Sequence, residues 1–314
     1  MLHLRMITPR DRTETVVELL RTTVGTAHLA VLAGAARDPE GDVVMCDVAR
    51  EAADDLIGEL RGLGLPADGC ITVENIDLSL SERADQAEID APGEGVDAVL
   101  WDSLTDATHE ESRLSVTYLA FLTLATMLAA CGVMLDSEIL IVGAMVVGPE
   151  FGPLAGVCTG LVRRAWWLAW RSLGALLVGF PLAMVATGVF GMVMDVTGVF
   201  SEEQYHAPHP ATEFIWQPDL SSFVVALLAG VAGILSLTSS KSGALVGVAI
   251  SVTTVPAAAN AALALSYGDL GETWGSAVQL GVNIAGILLA GTVTLLAQKA
   301  FWARQRAKRP AVSG

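Results

Sequence analysis

The sequence lacks most of the short motifs that identify catalytic and metal sites. Its four cysteines are scattered and form no C-x-x-C pair, so they are interpreted as free, mostly buried thiols. It contains no G-x-S-x-G, and Tyr267-Gly-Asp269 has no partner aspartate in a predicted membrane helix, which argues against an intramembrane protease. The N-terminal third holds no Gly-rich phosphate loop and no cluster with metal-ligand spacing. No enzymatic activity, no cofactor and no metal are predicted.

Positive charge is also scarce, and charge is distributed unevenly. The 314 residues carry a net charge of −16. Residues 1–112 contain 8 Arg and 24 Asp or Glu, whereas the rest contains 10 basic and 10 acidic residues within long apolar runs. This break predicts a soluble acidic part followed by a membrane-embedded part. The predicted parts are a cytoplasmic domain, an acidic linker, a six-helix transmembrane domain and a basic cytoplasmic tail, over 1–80, 81–112, 113–299 and 300–314.

The first 80 residues alternate between strand and helix patterns. No basic segment followed by an apolar core opens the chain, so no secretory signal is predicted. Strands are expected over 3–8, 28–34, 43–48 and 71–76, and helices from residue 13 and over 49–63. The order βαββαβ is that of an α+β ferredoxin-like domain. Such a domain is expected either to bind a small regulatory ligand or to serve in docking and assembly, because a fold does not decide function.

An acidic stretch of irregular pattern follows, over residues 81–111, and is interpreted as a linker. Six apolar segments come next, each close to or above the ~20 residues that a helix needs to cross ~30 Å of hydrocarbon. They cover residues 114–135, 139–162, 166–194, 220–237, 243–265 and 275–297.

Basic residues cluster in alternate connections of these segments, after the second, the fourth and the sixth. The other connections are acidic or neutral. The positive-inside rule therefore predicts a multi-pass membrane protein with both termini in the cytoplasm. The basic C-terminal tail, FWARQRAKR, is interpreted as an anchor to anionic lipid and not as a nucleic-acid patch.

The second and fifth segments resemble each other. They open with Gly143-Ala-Met-Val and Gly243-Ala-Leu-Val, and both contain proline further on, at Pro149 and Pro153 and at Pro256. Because they are the middle helices of two three-helix halves, the pattern predicts a 3+3 inverted repeat with broken helices. Chance similarity in a chain rich in Ala and Gly is the alternative.

The stretch GAMVVGPEFGPLAG, residues 143–156, places a carboxylate in the second segment. Glu150 is expected near mid-depth, where a charged side chain costs about 2.5–3.5 kcal/mol on insertion scales. A helix stop at Gly148 and a restart at Pro149 would put Glu150 in a first turn, where a helix favours negative charge. Two interpretations stay open and are compatible: Glu150 caps a helix, or it lines a substrate or ion pathway.

Polar residues in the second half are expected to complete such a site. Hydroxyl groups in membrane helices usually bond to their own helix or a neighbour, so their concentration opposite Glu150 is what favours a site. The predicted pathway residues are Glu150, Thr253, Thr254, Asn260 and Asn283.

Gly152, Gly156 and Gly160 recur every four residues after Glu150, which predicts a seam for close helix packing. In the outer loop, His206 and His209 lie near acidic residues. That loop is rich in proline and turns, so a metal site there is the lesser alternative.

The motif GAMVVGPEFGPLAGV, the six apolar segments and the compact domain ahead of them resemble the bacterial uncharacterised hydrophobic domain family, also called domain of unknown function 389. The resemblance is strong over the membrane part and looser over the N-terminal domain. It implies a bacterial inner-membrane location and the two-part architecture, and it supplies no reaction.

The leading functional hypothesis is a secondary transporter for an unidentified small solute or ion, gated or assembled by its cytoplasmic domain. A channel that uses the same helix breaks is the second hypothesis. The third is a non-transporting sensor or scaffold whose soluble domain binds a metabolite or nucleotide. A homo-oligomer in the lipid bilayer is expected in each case.

Overall fold

The computed structural model describes residues 1–91, 93, 98–210, 212, 215, 220–239 and 254–307, with side chains to 305. The chain divides into two compact units. The sheet unit consists mainly of Met1–Ser103. The helical unit consists mainly of Leu104–Leu237 and the described part of Ser242–Phe301.

The sheet unit has the predicted element order with one added helical turn. Its elements are β1 Leu2–Thr8, α1 Thr13–Thr22, β2 Thr26–Arg37, β3 Glu40–Val48, α2 Arg50–Gly62, α3 Leu65–Asp68 and β4 Cys70–Asn75. The four strands pair antiparallel in the order β2-β3-β1-β4. Alternate residues of β1, among them Leu4 and Met6, enter one core with Leu20 of α1 and Leu56 of α2. The core therefore lies between the sheet and its two helices.

The prediction of an irregular linker over 81–111 was wrong for most of its length. It contains α4, Glu82–Asp90, and α5, Trp101–Glu111. Ser81 caps α4 by accepting a hydrogen bond from the Ala84 N–H, and α5 buries Trp101 and Leu104 at helical spacing. The high density of acidic residues obscured this short amphipathic periodicity.

The helical unit begins within α5 and continues through the apolar part of the chain. Its further elements are α6 Val116–Met134, α7 Glu138–Val147, α8 Phe151–Arg163, α9 Trp166–Val196, α10 Glu202–Tyr205, α11 Leu220–Thr238, α12 Val255–Ser266 and α13 Leu270–Ala307. The short helix α12 packs against α6, α7 and α9. Its alanines and Leu263 share one core with Leu122 and Phe180.

Among the described residues, four helices are long and apolar enough to cross a membrane: α6, α9, α11 and α13. The pair α7 and α8 would form a fifth crossing, bent by 54° at a short break. The predicted segment over 243–265 falls partly outside the described residues, and its described part, α12, has 12 residues. Four or five spans are therefore supported, and the sixth span and the repeat stay predictions.

Candidate functional site

The predicted break in the second apolar segment is present: the first helix stops at Gly148 as expected, and the second helix begins two residues later than expected. Helix α7 ends at Val147 with Gly148 at its C-cap, and α8 begins at Phe151 with Glu150 at its N-cap. Pro149 thus precedes the helix and does not start it. The proline of the first turn is Pro153, whose missing N–H is harmless because the first four N–H groups of a helix have no partner within the helix.

The second short helix begins in the same way. Thr254 is at the N-cap of α12, and Pro256 is the second residue of that helix. Both α8 and α12 therefore start with a polar N-cap residue and carry proline in the first turn.

Glu150 joins the two helix starts. The Thr254 hydroxyl donates a hydrogen bond to Oε1 of Glu150 at 2.9 Å, and both residues are fully buried. The Glu150 side chain makes no capping hydrogen bond to α8. Because the N-terminal end of a helix carries partial positive charge, the starts of α8 and α12 both favour a negative group here. Glu150 therefore occupies the N-cap position of α8, but its side chain does not act as the cap.

Tyr118, which the sequence interpretation missed, has its phenol within electrostatic reach of Glu150, and its ring packs against Gly179. The hydroxyl is buried and has no hydrogen-bond partner among the described residues. No spacing pattern in the sequence marks Tyr118, because it lies in the first turn of α6, far along the chain from Glu150.

The remaining predicted pathway residues do not all lie at the junction. Thr253 is outside the described residues. Asn260 is buried two turns along α12 and donates to Oε1 of Glu272 at 2.8 Å and to the Ser276 hydroxyl at 2.9 Å. Asn283 is fully buried on α13.

Two helix registers show which turn of α13 lies level with the junction. Helices α12 and α13 form an antiparallel hairpin in which Asn260 bonds to Ser276. Thr254 lies six residues before Asn260 on α12. In an antiparallel hairpin it is therefore level with the residue six positions after Ser276 on α13, which is Val282, next to Asn283.

Helices α8 and α13 give the second register, since they run parallel. Cys158 donates to the carbonyl of Leu288 at 3.6 Å, and Lys299 donates to the carbonyl of Val162 at 3.2 Å. Counting eight residues back from Cys158 places Glu150 level with residue 280, and counting twelve residues back from Val162 places it level with residue 287. The registers together bracket the turn that contains Asn283.

The glycines after Glu150 lie at close helix contacts. A Cβ on Gly156 would meet the hydroxyl oxygens of Ser172 and Ser112, and one on Gly160 would lie 2.6 Å from the backbone nitrogen of Ala169. Gly152 lies against Glu111. The seam therefore packs α8 against α9 and the end of α5.

Glu111 is a second carboxylate near the start of α8. Partial burial raises the pKa of its carboxyl, although much of the residue stays exposed. It lies in the stretch that was interpreted as irregular linker, which is why sequence reasoning did not associate it with the break.

A cavity of about 370 Å³ lies at the other end of α12 and does not include Glu150. Its lining residues are Val133, Tyr205, His206, Ala207, Pro208, His209, Pro210, Thr212, Asn260 and Glu272. The Tyr205 hydroxyl donates to Oε2 of Glu272 at 2.8 Å, and its ring stacks on Tyr267. Burial, reinforced by this bond to Glu272, raises the pKa of Tyr205 far above its usual range, so the phenol stays a donor.

The histidines of this cavity are not arranged as metal ligands. Both ring nitrogens of His209 lie within hydrogen-bond distance of carbonyl oxygens, those of Val133 and Gln204. His206 lies 3.9 Å from Glu202. Across the described part of the chain, no group of three or more His, Cys, Asp or Glu side chains is placed to hold a metal ion.

Comparison with known proteins adds a family but no reaction. Residues 145–289 match the family described as "Domain of unknown function (DUF389)". A protein of Methanocaldococcus jannaschii, named only as uncharacterized, is 23% identical over 212 residues. That match covers 66% of this chain and 63% of the relative, so the chain spans less than two thirds of the length of that protein. Because the relative is archaeal, the bacterial origin stays a prediction.

No solved structure matches this chain. The family match begins at Met145, in α7, and continues through both helix starts, Glu150 and Thr254, to the middle of α13. Residues 145–289, a little under half of the chain, therefore match the family of the domain of unknown function 389, as the motif predicts.

Proposed function

We propose that this protein is a membrane transporter of the secondary type, in which Glu150 binds and releases a proton or another cation at the junction of α8 and α12. The observation that carries the proposal is the fully buried Glu150 carboxylate, bonded to Thr254 where two helices begin. Broken helices whose ends meet near the middle of the membrane are the typical binding sites of secondary transporters.

The position of Glu150 along the long helices supports this function. Tyr118, whose phenol is within electrostatic reach of Glu150, packs against Gly179, the fourteenth of the 31 residues of α9, and is itself the third of the 19 residues of α6. These contacts support a position for Glu150 among the apolar helices. An ionisable group buried among such helices is rare, because it is costly unless it serves a function.

The finer architecture belongs to the same proposal. It comprises six crossings in a 3+3 inverted repeat, both termini in the cytoplasm of a bacterial cell and assembly into a homo-oligomer. The ferredoxin-like sheet unit would gate or assemble the transporter, with a small regulatory ligand as its effector. The parallel between α8 and α12, each with its proline in the first turn, is what favours the repeat.

The direct test is flux through the purified full-length protein in proteoliposomes. A Na⁺ or K⁺ gradient is imposed, and internal pH is followed with an entrapped pH-sensitive dye. We expect Glu150→Gln to reduce cation-coupled proton movement at least tenfold. We expect Thr254→Val to impair it and Thr254→Ser, which keeps the hydroxyl donor, to restore it.

Glu138→Gln is the matched control, because it is the same substitution at an exposed residue at the start of α7. Its flux should equal that of the unchanged protein. Wild-type flux in the Glu150→Gln variant would refute the role of Glu150. Single-channel currents far above carrier turnover would indicate a channel, and absence of flux under every gradient would favour the sensor or scaffold.

A further inference from the structure

We propose that the cavity beside Glu272 is a loading site for a cation and that a buried polar stripe on α13 connects it to Glu150. The stripe is defined as Glu272, Ser276, Gln279 and Asn283. The inference rests on the proposed function and adds to it a route and the sign of the charge that is carried.

The stripe follows from helical spacing and burial. Its members are separated by four, three and four residues, which places them on one face of α13. Ser276, Gln279 and Asn283 are each at most 3% exposed. Glu272 and Ser276 both bond to Asn260, so the first part of this face lies toward α12. A face that is polar over three turns and buried over the last two is unusual within an otherwise apolar helix.

The two ends of the stripe coincide with the two features already described. Glu272 lines the cavity. Asn283 lies within residues 280–287, the stretch that the helix registers place level with Glu150 and Thr254. The stripe spans twelve residues, and its eleven steps of 1.5 Å give about 16 Å, which is the separation that a cation would have to cross.

Gln279, halfway along the stripe, points to an occupant. Its Oε1 atom is buried, and no donor among the described residues reaches it. A buried carbonyl oxygen without a donor is costly, and such groups in native proteins are generally satisfied by water or an ion. Amide, hydroxyl and carboxylate oxygens at successive turns are the ligands that hard cations prefer.

The charge at the cavity selects cations over anions. Tyr205 is within electrostatic reach of Glu272 and Asp269, and Tyr267 is within reach of Asp195 and Glu202. In the sequence, Lys241 is the single Lys or Arg between Ser172 and Gln298. The cavity lining holds Glu272 and two histidines, and the carboxylates of Asp269, Asp195 and Glu202 add negative charge near its tyrosines. A cleft dominated by one sign of charge concentrates the opposite ion by ~10-fold or more.

The test uses thiol labelling of the full-length protein and does not depend on transport. Ser276→Cys and Gln279→Cys are exposed to Ag⁺, a small cation that reacts with thiols, added from the side of the cavity. The rates are compared with the background of the four native cysteines in the parent chain. We expect both variants to react at least tenfold faster than Ile287→Cys, a control whose residue is equally buried but packs against Gly230.

Charge selection is tested at Ala207→Cys in the cavity lining. A cationic methanethiosulfonate should react about tenfold faster there than an anionic one, and Glu272→Gln should reduce this ratio. Ser276→Cys is nearly isosteric, so it keeps the test valid if Gln279→Cys does not fold.

Labelling of the stripe no faster than at Ile287→Cys would overturn the route, whatever the flux assay shows. Equal rates for the cationic and anionic reagents would overturn the cation assignment. Rapid labelling together with normal flux in Glu150→Gln would support the route and refute only the proposed role of Glu150.

Discussion

The sheet unit and the helical unit satisfy their buried polar groups in different ways. In the sheet unit, the oxygens of Asp47 are 2.7 Å from the ring nitrogens of His3 and His28. In the helical unit, neutral groups pair with one another, as in the bond from Thr187 to Thr126 at 2.8 Å. Glycines in the helical unit allow the backbones of neighbouring helices to approach closely.

This difference changes what a buried carboxylate means in each unit. Asp47 has basic partners that can carry the opposite charge, so a structural role explains it. Glu150 is fully buried and accepts a hydrogen bond from the neutral hydroxyl of Thr254, where two helices begin. Its position at two helix starts in an apolar part of the chain is what favours a functional role.

The largest loss of stability is expected from a substitution in the glycine seam of the helical unit. The Cβ added by Gly160→Ala would lie 2.6 Å from the backbone nitrogen of Ala169, so α8 and α9 must separate. Such overpacking costs about 1–3 kcal/mol. We expect a clear drop in thermal stability in detergent, measured by the temperature at which the size-exclusion peak is lost.

Gly143→Ala is the control for that experiment, since nothing lies within 4 Å of the Cβ that it adds to α7. It should leave stability unchanged or raise it, because alanine is favoured over glycine in helices by up to about 1 kcal/mol. Equal stability of the two variants would contradict the view that close backbone packing holds this unit together.

A smaller effect is expected in the sheet unit, from the charge pairing of Asp47. Burial alone would raise the pKa of Asp47, but the hydrogen bonds and charges of His3 and His28 outweigh it and hold the pKa below its ordinary value. A carboxyl whose pKa is depressed by folding stabilises the fold above its unfolded pKa of about 3.9, and this stability is lost as pH falls through the folded pKa.

Asp47→Asn should therefore lower the stability of the sheet at pH 7 by about 1 kcal/mol and flatten its decline toward acid. The measurement is hydrogen exchange of β1, β2 and β3 in the full-length protein, corrected for the pH dependence of the intrinsic rate. Asp77→Asn, at an exposed position, is the control. An unchanged acid profile in Asp47→Asn would show that the pairing with histidine contributes nothing.

The same contrast explains how much of the structure could be predicted from the sequence. Sequence patterns in the sheet unit predicted the strands to within a few residues, most clearly for β1 and β3, which bury one face. Proline and glycine located the break before α8, since each restricts or frees the backbone locally. The partnership of Glu150 with Thr254 was among the expected contacts because both lie at such breaks.

What could not be predicted depends on contacts distant in the chain. Asn260 was assigned to the Glu150 site but bonds to Glu272, because the register of α12 against α13 is set by packing and not by any local pattern. Tyr118 was missed for the same reason. The helices α4 and α5 were missed because charge density was given more weight than a two-turn periodicity.

The smallest effect is expected from the neutral pair Thr126 and Thr187. Both hydroxyls are buried between α6 and α9, and Thr126 also donates to a carbonyl of its own helix. Thr126 therefore keeps a hydrogen-bond partner when Thr187 is removed. A double-mutant cycle with Thr126→Val and Thr187→Val, measured by unfolding in mixed detergent, should give a coupling of about 0.6 kcal/mol.

The size of this coupling energy decides whether buried polar pairs in the helical unit are weaker than those in the sheet unit or only differ from them in charge. A value near 0.6 kcal/mol would mean that neutral pairs contribute little to the helical unit and that its stability comes from close packing. A value above about 2 kcal/mol would make the neutral pair at least as strong as the bonds of Asp47. A bond of that strength from Thr254 would favour a structural role for Glu150 over a role in transport.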